Sequence, residues 1–132
     1  MSIAGGADGF MYFLFSSIYR AWKDGDRQSY DDLIRSVEEV AGLKDVLLST
    51  EQPPQVTGSD DNLAVRVFTH RGHPHVVICN KTWQNVSGTL KIEGYWRKCS
   101  VEVGESCLLK DSSTLAYSLP PIGVSVVRLD RN

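Results

Sequence analysis

The chain has 132 residues, of which 42% are hydrophobic and 23% are charged, and its formal net charge is −2. This length and balance are typical of one globular domain. The sequence shows no cluster of lysine and arginine, so it gives no electrostatic support for binding to nucleic acid or to an anionic membrane surface. We therefore expect neither of these partners.

The first 22 residues combine a glycine-rich start with the apolar run FMYFLF at 10–15. No lysine or arginine precedes this run, and it is much shorter than the roughly 20 apolar residues of a transmembrane helix. Its glycines do not form the G-x-G-x-x-G pattern of a phosphate-binding loop. We therefore expect no signal peptide and no transmembrane segment. The run fits either a strand buried on both faces or the start of a helix over about 9–22.

The rest of the chain predicts one helix followed by many short strands. RQSYDDLIRSVEEVAGL has helical periodicity and predicts an amphipathic helix over 29–41, and DVLLST is a short strand candidate. From residue 63 onward, strand-like runs alternate with turn clusters about every ten residues. The runs are LAVRVFTH, HVVICNK, VSGTLKIEG, KCSVEV, ESCLL, TLAYSLP and IGVSVVRLD. This pattern predicts a mainly β fold, an antiparallel β-sandwich of seven to eight strands preceded by one or two α-helices. We place the sandwich at 45–132 and a helical, apolar segment at 1–44.

The cysteines are odd in number and form no C-x-x-C pair. We interpret Cys79, Cys99 and Cys107 as small apolar core residues, while a single Cys79–Cys99 or Cys99–Cys107 bridge stays open. This usage favours a reducing, cytoplasmic compartment. The N-x-S/T triplets that begin at Asn80 and Asn85 are interpreted as turn residues.

Three histidines, His70, His73 and His75, fall within six positions in THRGHPHV. Three imidazoles so close together are a candidate metal site, although H-x-x-H-x-H is not a standard zinc spacing. Gly72 and Pro74 indicate a turn that needs no metal, with His73 inside it. We favour a polar turn and expect no metal or other cofactor. A small free-standing metal-binding or enzymatic protein that uses these histidines is the alternative.

The loop aromatics Trp83, Tyr95 and Trp96 are candidates for carbohydrate binding. Each follows or lies in a predicted turn at a strand end. Exposed Trp and Tyr rings can stack on the apolar face of a sugar, whereas packing at the edge of the core is the competing interpretation. No Ser-His-Asp order or G-x-S-x-G motif points to a nucleophile.

Three stretches carry a resemblance to a known group of enzymes. AGGADGFMYFLF has the small-residue, G-A-x-G and aromatic pattern of a last barrel strand. SYDDLIRSVEEVAGLKDVLLSTEQPPQV is similar to a last barrel helix and its exit. HVVICNKTWQNVSGTLKI and LPPIGVSVVRL are similar to strands of a trailing sandwich. Together they resemble the C-terminal region of TIM-barrel glycoside hydrolases that carry a β-sandwich domain after the barrel.

The resemblance implies a non-catalytic accessory module that packs on a catalytic barrel domain or binds carbohydrate weakly. The catalytic carboxylates of such enzymes come from earlier barrel strands, which the sequence does not include, so no catalytic residue is carried over. We expect no catalytic activity from this chain on its own. A lone barrel strand would leave an aromatic patch, so residues 10–22 must repack onto the sandwich, turn helical or pair with another copy. We expect a helix over about 9–22 and a homodimer through residues 10–22. A self-associating structural protein is a further alternative.

Overall fold

The alternation of apolar and polar residues after residue 55 produces two β-sheets. The computed structural model describes Lys23, Gly25 and residues 27–131. The strands are β1 Val56–Thr57, β2 Leu63–His70, β3 His73–Asn80, β4 Val86–Ile92, β5 Lys98–Gly104, β6 Cys107–Leu109, β7 Thr114–Leu119 and β8 Val124–Asp130. The front sheet has the order β2-β3-β8-β5 and the back sheet the order β1-β4-β7-β6, and all described pairings are antiparallel. The predicted antiparallel β-sandwich is therefore confirmed.

The main core lies between the two sheets and is formed by every second residue of the facing strands. In β2, Leu63, Val65 and Val67 face this core, as the alternation in LAVRVFTH predicts. The fully buried members of the core include Val76, Ile78, Leu90, Ile92, Leu115, Leu119, Val127 and Leu129.

Two helices precede the sandwich. The predicted helix is confirmed as α1, Arg27–Gly42, and a short helix α2, Lys44–Leu47, follows it. The strand predicted for DVLLST is wrong, because its first three residues form part of α2 and the other three form no strand. Leu43, Val46 and Leu47 have helical spacing and pack on the outer face of the front sheet, where α2 covers a second apolar cluster. A short apolar run cannot tell strand from helix before its packing partner is known.

The hairpin between β2 and β3 turns in two residues. Arg71 and Gly72 both have positive φ, at 52° and 77°, which is the backbone of a tight hairpin turn that follows the twist of the strands. His70 and His73 are register partners, so His73 begins β3 and does not lie in the turn as the sequence indicates.

The cysteines and the first N-x-S/T triplet have structural roles. All three cysteines are free, with Cys79 and Cys107 buried and Cys99 half-buried, so neither bridge left open by the sequence is formed. The Asn80 side chain is fully buried. Its Nδ2 donates to the carbonyl oxygens of Gln84 at 2.7 Å and Pro120 at 2.8 Å. This asparagine therefore ties two loops at one end of the sandwich.

The predictions for residues 10–22, the helix and the homodimer, lie outside the described residues. The division between 44 and 45 stays a prediction, although α2 crosses it. Within the described residues, neither helix combines the length and hydrophobicity needed to cross a bilayer.

Candidate functional site

The sandwich has two ends, and the predicted sugar-binding aromatics are divided between them. Trp83 follows β3 and lies beside the loop that leads into β8, because Ile122 N–H donates to the carbonyl of Thr82. Tyr95 and Trp96 follow β4 and lie at the opposite end. The eight residues of β3 separate the two ends by roughly 24 Å. The three rings therefore cannot share one binding site.

An open cleft of about 450 Å³ lies at the end that carries Trp96, and we call it the Trp96 cleft. Its walls are residues 52–54, the tip of the β2–β3 hairpin, the loop 93–96 and Arg131. This volume falls within the range of small-molecule sites. The lining mixes proline side chains with a few polar groups.

The segment 51–55 is fixed at both of its ends, which holds Pro53 and Pro54 over the cleft. The Glu51 carboxylate accepts the backbone N–H groups of Arg71 at 2.6 Å and Gly72 at 2.9 Å. These two hydrogen bonds hold the pKa of Glu51 below its ordinary value of 4.5.

At the other end of the segment, Glu93 and Gln55 form a reciprocal pair. Glu93 N–H donates to the Gln55 carbonyl at 2.9 Å, and Gln55 N–H donates to Glu93 Oε2 at 3.2 Å. The prolines between these anchors have a fixed φ and little freedom to collapse into the cleft.

Two buried polar atoms at the cleft have no hydrogen-bond partner in the described structure: Trp96 Nε1 and Thr69 Oγ1. Trp96 is 4% exposed and Thr69 is 8% exposed. A buried donor or acceptor that lacks a partner costs about 1–3 kcal/mol. Native proteins satisfy most such groups, so two of them on one cleft point to a polar ligand.

Trp96 is a core residue more than an exposed stacking surface. Its ring packs in the main core, and the Arg131 guanidinium lies 5.0 Å from the ring centroid. A Cβ added at Gly94, whose φ is +120°, would come within 2.7 Å of the ring, so a glycine is needed for the loop to close over it. The ring face is therefore closed to a ligand, and the indole N–H is buried as the chain stands.

Tyr95 and Trp83 are exposed, as carbohydrate contact requires. Tyr95 is 61% exposed beside the cleft, and the Arg97 guanidinium lies 5.9 Å from its ring centroid. Trp83 is 84% exposed at the far end of the sandwich. Tyr95 thus lies between two residues that line the Trp96 cleft, Gly94 and Trp96, but is not itself a lining residue.

Two of the three histidines, His73 and His75, each contact a carboxylate of their own. His73 Nδ1 lies 2.7 Å from Asp130 Oδ1, and His75 Nδ1 lies 2.7 Å from Glu102 Oε2. Within the described part of the chain, no three His, Cys, Asp or Glu side chains converge as metal ligands. Each of these two imidazoles therefore stabilises the outer face of the front sheet through its own carboxylate.

The sequence did not point to Thr69, Glu93 or Arg131. Thr69 is one residue of an alternating strand, and the two charged residues resemble ordinary surface positions. The glycine before Tyr95 and Trp96 was the one signal for this loop, because a positive-φ glycine beside two aromatics marks a close approach of backbone to ring. The other members come together only through the fold.

The Trp96 cleft has to be interpreted from its own residues. A scan against protein-family models and a search of curated proteins found no match to this sequence.

Proposed function

We propose that this chain is a non-catalytic accessory β-sandwich module of the glycoside-hydrolase type that binds carbohydrate in the Trp96 cleft. The observation that supports this proposal is the pair of buried, unpartnered polar atoms, Trp96 Nε1 and Thr69 Oγ1, on one cleft of suitable size.

A sugar matches the chemistry of the cleft. Each sugar hydroxyl both donates and accepts hydrogen bonds, so it can accept from Trp96 Nε1–H and pair with Thr69 Oγ1 in either direction. The apolar C–H face of a sugar ring can rest against Pro53 and Pro54. The cleft thus offers both kinds of contact that a polyhydroxylated ring needs.

Binding requires a small movement of the cleft wall. Neither unpartnered atom contacts solvent as the chain stands. Arg131 is exposed and rests on the indole through a long, flexible side chain, so its displacement costs less than any backbone movement. A ligand hydroxyl then reaches Trp96 Nε1, and the displaced guanidinium stays at the cleft wall, where it can still donate hydrogen bonds.

The cleft lacks the acid pair of a glycosidase. Most glycoside hydrolases use two carboxyl groups across the scissile bond. Among the described residues that line the cleft, Glu93 supplies a carboxylate and no second one faces it. The proposed module therefore binds sugar without cleaving it. Its proposed partners are a catalytic barrel domain and a second copy of this chain, which would pair through residues 10–22.

Binding of a panel of neutral mono- and oligosaccharides, followed by ligand-observed NMR and calorimetry, tests the proposal. Trp96→Phe removes the indole N–H, and we expect it to weaken binding about tenfold, a loss that corresponds to one hydrogen bond left unmade. Trp83→Phe is the matched control at the far end and should leave affinity unchanged. Equal affinity of Trp96→Phe and the wild type would contradict the proposal.

Thr69→Val tests the proposal through two measurements, Tm and sugar affinity, which should change in opposite directions if Oγ1 binds a ligand. This near-isosteric change removes a buried hydroxyl without a partner, so we expect a higher Tm together with weaker sugar binding. A lower Tm, or unchanged affinity, would argue against a ligand at Oγ1.

The wild-type chain should hydrolyse no aryl glycoside, and hydrolysis that is lost in Glu93→Gln would overturn the non-catalytic assignment.

A further inference from the structure

The charges that line the Trp96 cleft indicate which kind of sugar it takes. Among the described residues of its wall, Glu93 and Arg131 are the ones that carry a formal charge, and the charges are opposite. No ion pair between them is found in the described structure, so neither neutralises the other by direct contact. The cleft therefore has no net charge of its own.

Glu93 is positioned as an acceptor. Its Oε2 accepts the N–H of Gln55 and its backbone N–H holds the Gln55 carbonyl, so the side chain is anchored beside the cleft. Its second oxygen, Oε1, has no hydrogen-bond partner among the described residues. A carboxylate oxygen forms a strong hydrogen bond with a neutral hydroxyl donor.

Arg131 is positioned as a donor. Its guanidinium rests over the Trp96 ring, and no carboxylate of the described chain pairs with it. The nearby Asp130 already accepts from Arg128 at 3.2 Å and contacts His73 at 2.7 Å. Arg131 therefore has N–H groups available for oxygen atoms of a ligand.

We propose that the Trp96 cleft selects an uncharged sugar unit, with one hydroxyl donating to Glu93 Oε1 and a separate hydroxyl accepting from Arg131. This inference rests on the proposed carbohydrate-binding function. The carboxylate of a uronic acid would be attracted to Arg131 but repelled by Glu93, and the ammonium of an amino sugar would be attracted to Glu93 but repelled by Arg131. Because the wall carries no net charge, either ion would lose its hydration without a net electrostatic gain, whereas neutral hydroxyls form hydrogen bonds with both wall residues.

The test compares matched sugars that differ only in charge. Calorimetry and ligand-observed NMR are run with neutral, uronic acid and 2-amino members of the gluco, galacto and manno series. In whichever series binds, we expect the neutral member to bind at least about fivefold more tightly than either charged member, because the charged group is desolvated without a net electrostatic gain.

Two variants assign the preference to its residues. Glu93→Gln should reduce the affinity ratio between the neutral and the uronic acid members at least about threefold. Arg131→Gln should reduce the ratio between the neutral and the amino members by the same factor. Glu39→Gln, on the exposed surface of α1, is the control and should leave both ratios unchanged.

The outcomes separate this inference from the proposed function. Binding of no sugar in any series overturns both. Equal or tighter binding of the uronic acid, or affinity ratios that Glu93→Gln and Arg131→Gln leave unchanged, overturns the selection for neutral sugars, while loss of binding in Trp96→Phe would still support the module's carbohydrate binding.

Discussion

Glu51 connects the segment before the sandwich to the first hairpin through two backbone hydrogen bonds. Its carboxylate accepts from both residues of the tight turn, Arg71 and Gly72. Its pKa is lowered chiefly by the Gly72 and Arg71 hydrogen bonds, since the ionised form is the better acceptor. The residue sets the position of Pro53 and Pro54 and so the shape of the Trp96 cleft.

Acid should weaken this connection. The pKa of Glu51 is lower in the folded than in the unfolded chain, so its contribution to stability is fully present above about pH 4.5 and is lost as the pH falls through the lowered folded-state pKa. We expect Glu51→Gln to lower Tm at pH 7, with a difference from the wild type that shrinks towards about pH 3. Thermal melts followed by circular dichroism over this range measure it.

Glu39→Gln provides the control for that measurement, because Glu39 is exposed on α1 and has no hydrogen bond among the described residues. Its melting curve should follow that of the wild type at every pH. A Glu51→Gln difference that stays constant down to about pH 3 would show that the carboxylate charge does not matter to the hairpin.

The pairing of β5 with β8 depends on one glycine. Gly104, at the end of β5, has a φ of +77°, and a Cβ added there would lie 1.9 Å from the carbonyl oxygen of Val124. That same carbonyl accepts the N–H of Glu105 at 2.9 Å, so it cannot move away without losing a hydrogen bond. The close approach of the two backbones requires a residue without a side chain.

Gly104→Ala should therefore destabilise the protein more than the same change at a glycine of equal conformation. Gly72 also has a φ of +77°, but an added Cβ meets no atom within 4 Å there. We expect Gly72→Ala to cost about 1 kcal/mol from backbone strain alone and Gly104→Ala about 3 kcal/mol or more. Urea denaturation measures both free energies of unfolding, and equal losses would refute the steric argument.

At the scale of the whole molecule, the front sheet separates two apolar clusters. Val76 and Ile78 of β3 point into the core between the sheets, whereas Val77 and Cys79 point outward beneath α2. Burial raises the pKa of the Cys79 thiol and so reduces its reactivity. The accessibility of the Cys79 thiol therefore reports on the cluster under α2, which we call the helical layer, and that of the Cys107 thiol reports on the core between the sheets.

Val46→Asp should open the helical layer without opening the sandwich. Val46 is the buried residue of α2, and an unpaired carboxylate at that place is costly enough to release the helix. We expect Cys79 to be alkylated about tenfold faster than in the wild type while Cys107 stays protected, as peptide mapping by mass spectrometry will show. Val37→Asp, at a position of α1 that is 43% exposed, is the control.

Equal labelling of Cys79 and Cys107 in Val46→Asp would mean that the two clusters open as one cooperative unit. Unchanged labelling of Cys79 would mean that α2 does not protect it. Either result would contradict the prediction that the helical layer opens independently of the sandwich core.

The strands were the most predictable elements, and the reason lies in their alternation. LAVRVFTH has Leu63, Val65 and Val67 on one side and matches β2 from its first residue to its last. The strand prediction for DVLLST was wrong because Val46 and Leu47 have strand propensity but also lie at helical spacing from Leu43. Their packing on the outer face of the front sheet stabilises the helix. The helix α1 was predictable because its period holds over four turns.

The sequence by itself determined the class of fold and seven of the eight strands, because periodicity is a local property. It also singled out Trp96, but as an aromatic in a turn and not as a buried ring with an unpartnered N–H. Only the tertiary structure brought Thr69, Glu93 and Arg131 to that ring and sent Trp83 to the other end. A cleft joins residues far apart in the chain, and their meeting depends on strand order and register, which no local pattern encodes.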